Sequence, residues 1–258
     1  TLIEAAQRAV LETKVVDEPV TVIVSQKGWL RARQGHGHDA GQFNFKMGDS
    51  LYDAIECRST DNLVALSSTG RVYTVPVASL PSARGDGQPV TSLIDLEQGA
   101  HVVHMVAGDT EQVWFLGTQA GYGFMARLKD MVTRQKAGKQ FVTLEKSDVM
   151  LKPIGLQETD HALAMLTRKD RFLIVDLAEF KTLSGGGRGT ILMGLDSGDR
   201  IEQWCAVSQA GVCLSGVYRN KQTDVVLDAA QIQEYQGKRA RKGRALAVKV
   251  KQPLLRRM

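Results

Sequence analysis

Apolar residues along this chain come in short runs, and the runs come in pairs. Five segments share the pattern of a β-rich run, a tight turn and a second β-rich run: VTVIVSQKGWLRAR (20–33), LVALSSTGRVYTV (63–75), VWFLGTQAGYGFMARL (113–128), LAMLTRKDRFLIVDL (163–177) and WCAVSQAGVCLSGV (204–217). Val, Leu, Ile, Phe and Tyr in the flanks suit a pleated, half-buried surface. The turn positions hold Gly28, Gly70, Gly121, Asp170 and Gly211, spaced 42, 51, 49 and 41 residues apart. Gly and Asp fit there because hairpin turns need positive φ. After each hairpin a Gly- and base-bearing loop leads into another short strand: QGHGHDAGQFNF (34–45), ARGDGQPVTSLI (83–94), RQKAGKQFVTL (134–144), SGGGRGTILMGL (184–195) and GKRARKGRALAV (237–248). The loop glycines at 41, 87, 138, 189 and 243 recur every 46 to 54 residues. A period near 40–50 residues with about four strands per unit predicts blades around an axis. One blade cannot bury both faces of its sheet, whereas a ring of blades can.

The start of the chain differs. Leu2, Ile3, Ala6, Ala9 and Val10 fall on one helical face, and Glu4 with Arg8 makes an i,i+4 pair. Val15, Val16 and Pro19 end that pattern. The expected organisation is a helical connector over 1–18 and an all-β ring of about five four-stranded antiparallel blades over 19–258.

Composition narrows the class. The 258 residues are 43% hydrophobic and 24% charged. No apolar run approaches the roughly 18 residues that a membrane-spanning helix needs, so no membrane partner is expected. The first residues lack the basic start and apolar stretch of a secretion signal. With no initiating Met, the chain reads as a piece of a longer protein. Cys57, Cys205 and Cys213 are odd in number and lack metal-site spacing. They point to reduced thiols in a cytosol rather than a disulfide frame. The formal net charge of +5 conceals an asymmetry. Residues 235–258 hold nine Lys or Arg and no acid, leaving 24 bases against 28 acids over 1–234. Any polyanion must therefore be held by local clusters. The basic tail is not read as a plain solvated arm, because Arg244 to Lys251 alternates as a half-buried strand does.

Catalysis finds little support. His36 and His38 with Asp39 are an incomplete metal set, and a solvated loop is the plainer reading. Asp49, Asp53 and Glu56 read as surface charges. No G-x-S-x-G occurs, and GGGRGT (185–190) lacks the G-K-[ST] ending of a phosphate-cradling loop. No catalytic residue and no metal ligand is assigned. Polyanion binding is better supported, since bases gather in the turn and loop of each repeat. The candidate DNA contacts are Lys27, Arg31 and Arg33; Arg71 and Arg84; Arg127, Lys129, Arg134, Lys136 and Lys139; Arg168, Lys169, Arg171 and Arg188; Arg219 and Lys221; and Lys238, Arg239, Arg241, Lys242 and Arg244. In a ring these positions predict a curved basic track along the outer perimeter. Such a track suits double-stranded DNA, which carries one negative charge per roughly 1.7 Å of axis. Aromatic side chains near these loops are sparse, with only Phe43 and Phe45 beside one, which argues against single-strand stacking. The rival class is a protein-interaction propeller whose rim takes an acidic partner.

The residues also carry a resemblance. TLIEA at the start, VDEPVTVIVSQKGWLRA (16–32), KMGDSLY (46–52), TGRVYTV (69–75), LPSARGDGQPVT (80–91), AGYGF (120–124) and RQKAGK (134–139) resemble the C-terminal domain of the bacterial DNA topoisomerase IV A-type polypeptide, in the family shared with gyrase A. The likeness is close over the first three repeats and a matter of pattern over the last two. It implies a β-pinwheel with strands exchanged between neighbouring blades and a basic outer rim that binds and bends duplex DNA. It further implies that this domain presents a DNA segment to the topoisomerase core and tunes substrate choice in decatenation and supercoil relaxation. The implied enzyme is an ATP-dependent type IIA topoisomerase, an isomerase. Its partners would be the upstream catalytic core and the topoisomerase IV B-type polypeptide in an A2B2 assembly, in the bacterial cytoplasm at the nucleoid. ATP and Mg2+ would bind elsewhere, with no cofactor in this part, and the catalytic tyrosine would lie upstream. One departure stands out. Gyrase carries a Q-R-R-G-G-K-G box in its first blade loop, whereas RQGHGHDAG (33–41) has histidines and an aspartate in place of bases. This favours topoisomerase IV over the equivalent gyrase domain.

Overall fold

The computed structural model describes residues 15–258, so the helix expected over the first residues lies outside the described residues. The described chain forms five antiparallel sheets. The first contains β1 (Pro19–Ser25), β2 (Trp29–Gln34), β3 (Leu51–Arg58) and the two-residue β6 (Gln88–Pro89), in the order β3-β1-β2-β6. The second contains β4 (Asn62–Ser67), β5 (Arg71–Pro76), β7 (Val102–Ala107) and β10 (Lys139–Gln140). The third contains β8 (Val113–Gly117), β9 (Tyr122–Arg127), β11 (Ile154–Gly155) and β14 (Thr190–Ile191). The fourth contains β12 (Ala162–Thr167), β13 (Arg171–Asp176), β15 (Ile201–Val207) and β18 (Arg244–Ala245). The fifth has β16 (Val212–Tyr218), β17 (Lys221–Leu227) and β19 (Lys251–Arg257). It has three strands among the described residues, where four were expected.

The rule that generates this order is one exchange per repeat. After its hairpin the chain runs back along the preceding blade, adds a two-residue strand to that blade's edge, then returns to close its own sheet. Thus β6 joins β2, β10 joins β5, β14 joins β9 and β18 joins β13. Among the described residues no strand pairs with the outer edge of β17 in the fifth blade.

Both faces of the middle strands are buried, which explains their continuous apolar runs. In β4, Leu63 and Ala65 enter the core shared with the first blade, while Val64 and Leu66 enter the core shared with the third. In β12, Leu163 and Met165 face the third blade, and Ala162, Ala164 and Leu166 face the fifth. Four such cores bind five blades in series. Among the described residues no core cluster, hydrogen bond or ion pair joins the fifth blade to the first, so the ring formed by those residues is open there.

The closing strands line the axis. The Tyr52 hydroxyl meets His104 Nδ1 at 2.8 Å, and His104 Nε2 lies 3.0 Å from the Met150 carbonyl. That carbonyl only accepts, so Nε2 carries the proton and Tyr52 donates to Nδ1. Further round, Trp204 Nε1 donates to the Lys152 carbonyl at 2.7 Å, and Gln203 Nε2 to the Pro253 carbonyl at 2.6 Å. With closing strands inside, the exchanged strands at the other edge of each sheet mark the outer perimeter.

One expected hairpin is corrected. The segment 204–217 with its Gly211 turn is not a blade hairpin. Its first strand, β15, pairs with β12 in the fourth sheet, and its second, β16, pairs with β17 and β19 in the fifth. The fifth hairpin turns instead at Arg219 and Asn220, both with positive φ (48° and 63°). The confusion has a local cause. Gly211 N–H bonds to the Ser208 carbonyl at 3.1 Å just as Gly28 N–H bonds to that of Ser25 at 3.0 Å. The turns are alike, and only the sheets that take their flanks differ.

Candidate nucleic-acid interface

The perimeter loops are built on four glycines. A Cβ on Gly87, Gly138, Gly189 or Gly243 would lie 2.1–2.5 Å from the carbonyl of Leu30, Val72, Gly123 or Phe172, in the second hairpin strand of the preceding blade. All four have positive φ. The glycines let the incoming chain press against the neighbouring edge, and the residues just before each one form an exposed loop at the blade junction. Gly41, the fifth member of the series, has no such contact. A Cβ there would meet only the side chain of Asp39.

Each junction brings a loop against the turn of the preceding blade, so bases distant in sequence become neighbours. At the first junction Arg33 and Arg84 face a groove of about 870 Å³ that also exposes Phe43 and Asn44. Arg31 was expected to contact DNA but is buried. Its guanidinium donates to the Gly85 carbonyl at 2.9 Å and to the Asn44 carbonyl, and it lies over the Phe45 ring. It ties the first blade to the second repeat and leaves the candidate set.

At the second junction Arg71 donates to the carbonyls of Ala137 (2.9 Å) and Gly138 (3.0 Å), and Lys139 Nζ donates to that of Asp130 at 2.6 Å. Arg134 and Lys136 stand beside them, both exposed. Arg127 and Lys129 sit at the far end of β9 from its turn and share Glu111, at 3.0 and 2.6 Å. The hydrogen bond from Lys129 holds the Glu111 carboxyl below its ordinary pKa. At the third junction Arg188 stacks 3.8 Å from the Tyr122 ring centroid and pairs with Glu145 at 3.0 Å.

The fourth junction is the densest. Lys238 pairs with Glu179 at 3.4 Å, and Lys242 pairs with Asp196, whose carboxyl is held below its ordinary pKa by that hydrogen bond. Arg239, Arg241 and Arg244 are exposed, and their guanidinium groups form no ion pair within 4 Å among the described residues. The adjacent turn adds Arg168, Arg171 and Lys169, whose Nζ donates to the Ser197 carbonyl at 2.7 Å. Lys27 lies in the first hairpin turn, and the corrected register puts Arg219 and Lys221 in the fifth.

Sequence reading missed Lys46. It stacks 3.6 Å from the Trp29 ring centroid and lies 3.8 Å from Asp86 at the first junction. It also missed the carboxylates placed against the bases, for which adjacency in sequence gives no signal. The first loop is folded onto its own blade. His36 Nε2 lies 2.8 Å from the Cys57 carbonyl, Gly37 N–H donates to Glu56 at 2.6 Å, and His38 Nε2 lies 2.9 Å from the Gln34 carbonyl. The acids considered for catalysis have separate tasks: Asp49 accepts from Lys27 N–H, and Asp53 pairs with Lys152 at 2.9 Å. Burial raises the Cys57 and Cys205 thiols to about 12, so neither is a ready nucleophile.

Known proteins with this arrangement agree on its family. The family model described as "DNA gyrase C-terminal domain, beta-propeller" matches residues 61–107 and 161–203. The A-type polypeptide of DNA topoisomerase 4 from Neisseria gonorrhoeae is 35% identical over 256 residues, covering 96% of this chain and 33% of that protein. The solved C-terminal domain of Escherichia coli ParC superposes with a TM-score of 0.80 at 30% identity, over 93% of this chain and 99% of that one. The chain belongs to the family of topoisomerase IV ParC-type C-terminal domains. A further solved domain, titled as the C-terminal domain of DNA topoisomerase IV, is 19% identical with a TM-score of 0.73 over 94% of this chain and 79% of that one, and so shares the fold. The chain spans about a third of the length of the curated relatives it matches.

Proposed function

We propose that this chain holds and bends duplex DNA along its outer perimeter. In this reading it serves as the DNA-guiding part of a topoisomerase IV, an ATP-dependent isomerase that works in the bacterial cytoplasm at the nucleoid. The observation that carries the reading is the recurrence of bases in the exchanged loop at all four blade junctions, on the edge opposite the axis. Fixed by equivalent glycine contacts, Arg84, Arg134 with Lys136, Arg188, and Arg239 with Arg241 lie one junction apart around a curved scaffold. A straight duplex meets few of these positions at once, while a bent one meets several. Smooth bending of a 20–30 bp stretch costs on the order of 1–6 kcal/mol, and phosphate neutralisation with counterion release offsets it.

The upstream core of the same polypeptide and the B-type polypeptide complete the proposed A2B2 enzyme, with ATP and Mg2+ bound in those parts. This domain's task is then to present a DNA segment to the core and to weight decatenation against supercoil relaxation. Six simultaneous phosphate contacts predict a log–log salt slope of about −5 for duplex affinity. Fluorescence anisotropy from low to moderate salt measures it. A flat response would overturn the DNA reading in favour of a rim that takes an acidic protein. Within the same assay, Arg239→Ala with Arg241→Ala weakens binding without lowering Tm.

A further inference from the structure

The loop between the fourth and fifth blades contains a seat for an anion, and a side chain of the protein already fills it. Glu179 Oε2 accepts the Arg239 backbone N–H at 3.0 Å, and Glu179 Oε1 lies 3.4 Å from Lys238 Nζ. The two groups hold one carboxylate between an amide and an ammonium, as they would hold two oxygens of a phosphodiester. The surrounding hollow, about 430 Å³, is lined by Glu179, Lys238, Arg239, Ala240 and Arg241. Ala240 there has a φ of +62°, which costs a residue with a Cβ some strain and turns the chain so that two arginines flank the hollow.

The placement of Glu179 is not required by its own helical turn. At the same position after the second hairpin strand in two other repeats, Asp130 and Gln231 fold back and accept the backbone N–H of their own caps, Arg127 and Asp228, each at 3.1 Å. In the Leu177–Glu179 turn the Asp176 side chain does the capping by accepting from Ala178 N–H at 2.8 Å. Glu179 instead reaches into the next repeat's loop, 60 residues away in the chain. Its side chain is 22% exposed, against 81% for Lys238, so the carboxylate lies in the hollow and the lysine outside it.

We propose that Glu179 occupies, as an internal mimic, a seat that a DNA phosphate takes when duplex binds. A phosphate reaching Arg239 N–H and Lys238 must displace the carboxylate, so Glu179 sets how tightly the densest basic loop grips. This rests on the DNA reading and adds its regulation: an acid that keeps the strongest contact weak and exchangeable.

The test measures binding of a fluorescein-labelled duplex of about 30 base pairs to the whole 258-residue chain across a salt series. Glu179→Gln keeps an acceptor oxygen for Arg239 N–H but removes the charge that competes with phosphate. The expected result is binding tighter by roughly three- to tenfold at low salt, with a salt slope steeper by about 0.9 from one additional phosphate contact. Glu179→Asp, too short to reach the loop, moves affinity the same way and serves if the amide variant is poorly folded. Glu202→Gln, on the inner strand β15 and paired with Arg200, controls for general loss of negative charge. Unchanged or weaker binding by both Glu179 variants would overturn the proposal, as would an equal gain by Glu202→Gln. A wild-type chain without salt-dependent duplex binding would instead overturn the underlying DNA reading.

Discussion

The segment after the first hairpin and the segment after the fourth junction's predecessor, at Gly189, begin from similar sequence and end in different structures. Both carry a glycine in series, bases nearby and apolar residues beyond. In the later segment, Gly189 lies against the Gly123 carbonyl and Thr190–Ile191 joins the third blade as β14. In the first, Gly41 sits in a 3-10 turn, and the chain folds over its own blade with Phe45 beneath buried Arg31. The later segment has a preceding blade whose edge takes a strand, and among the described residues the first has none. A matching gap appears on the last blade, where β17 receives no strand from the described residues and Val217, Val226 and Leu254 are 41%, 43% and 60% exposed. The open ring thus has two unlike edges. One is covered by a refolded exchange segment, and the other is bare among the described residues. A strand exchange is a property of two blades, and a repeat cannot carry it out alone.

The largest expected effect concerns what holds the bare edge. Arg257, on β19, forms an ion pair with the fully buried Asp160 carboxylate and donates to the Gly155 carbonyl at 3.1 Å. Asp160→Asn leaves a guanidinium without its counter-charge and should cost about 3–5 kcal/mol. Amide exchange over β16 and β17 should accelerate more than over β1 and β2; uniform acceleration would show that the two edges are equally supported.

A middle-sized effect tests the exchange itself. Gly189→Ala places a Cβ 2.1 Å from a backbone oxygen at positive φ and should cost on the order of 2 kcal/mol or more in urea unfolding. Gly41→Ala should stay within about 0.5 kcal/mol, since its backbone φ is not positive and its only neighbour is a side chain. Equal losses would mean that the first segment is also exchanged in solution.

The smallest effect separates the two edges by pH. The inner strands near the first blade are linked through His104, which burial and the Lys152 charge hold below its ordinary pKa. The unfolded chain therefore binds its proton first. This contribution to stability is complete above about pH 6.5 and is lost as pH falls towards the folded pKa, at up to about 1.4 kcal/mol per pH unit. The corresponding link at the fifth blade uses Gln203, which does not titrate. His104→Gln should flatten the difference, read from denaturation midpoints between about pH 7 and 5. An unchanged pH slope would assign it to another group.

Much of the ring was legible because its causes are local. Turn residues at Gly28, Gly70, Gly121 and Asp170 announce hairpins, and the continuous apolar stretch of β4 records a sheet packed on both faces. The alternation in β16, with Val212 and Leu214 inward and Ser215 and Val217 towards the open side, even records a face without a neighbouring blade. The fifth hairpin was misplaced because Ser208 to Gly211 makes the same local turn as Ser25 to Gly28. The perimeter was harder to read. Arg31 and Arg84 look equivalent as bases in a string, but one is fastened to two carbonyls and the other is exposed.

The repeat, most of the strands, the glycines of the exchange and the family could all be read from the order of residues, since each depends on positions within one unit of the pattern. Which blade takes which strand, where the ring stays open, and which bases face an acid such as Glu179 or Asp196 emerged with the packed fold. Those outcomes depend on pairings between residues tens of positions apart. Backbone edges and charges act through distance in space, and the linear order of residues does not contain that distance until the blades have packed.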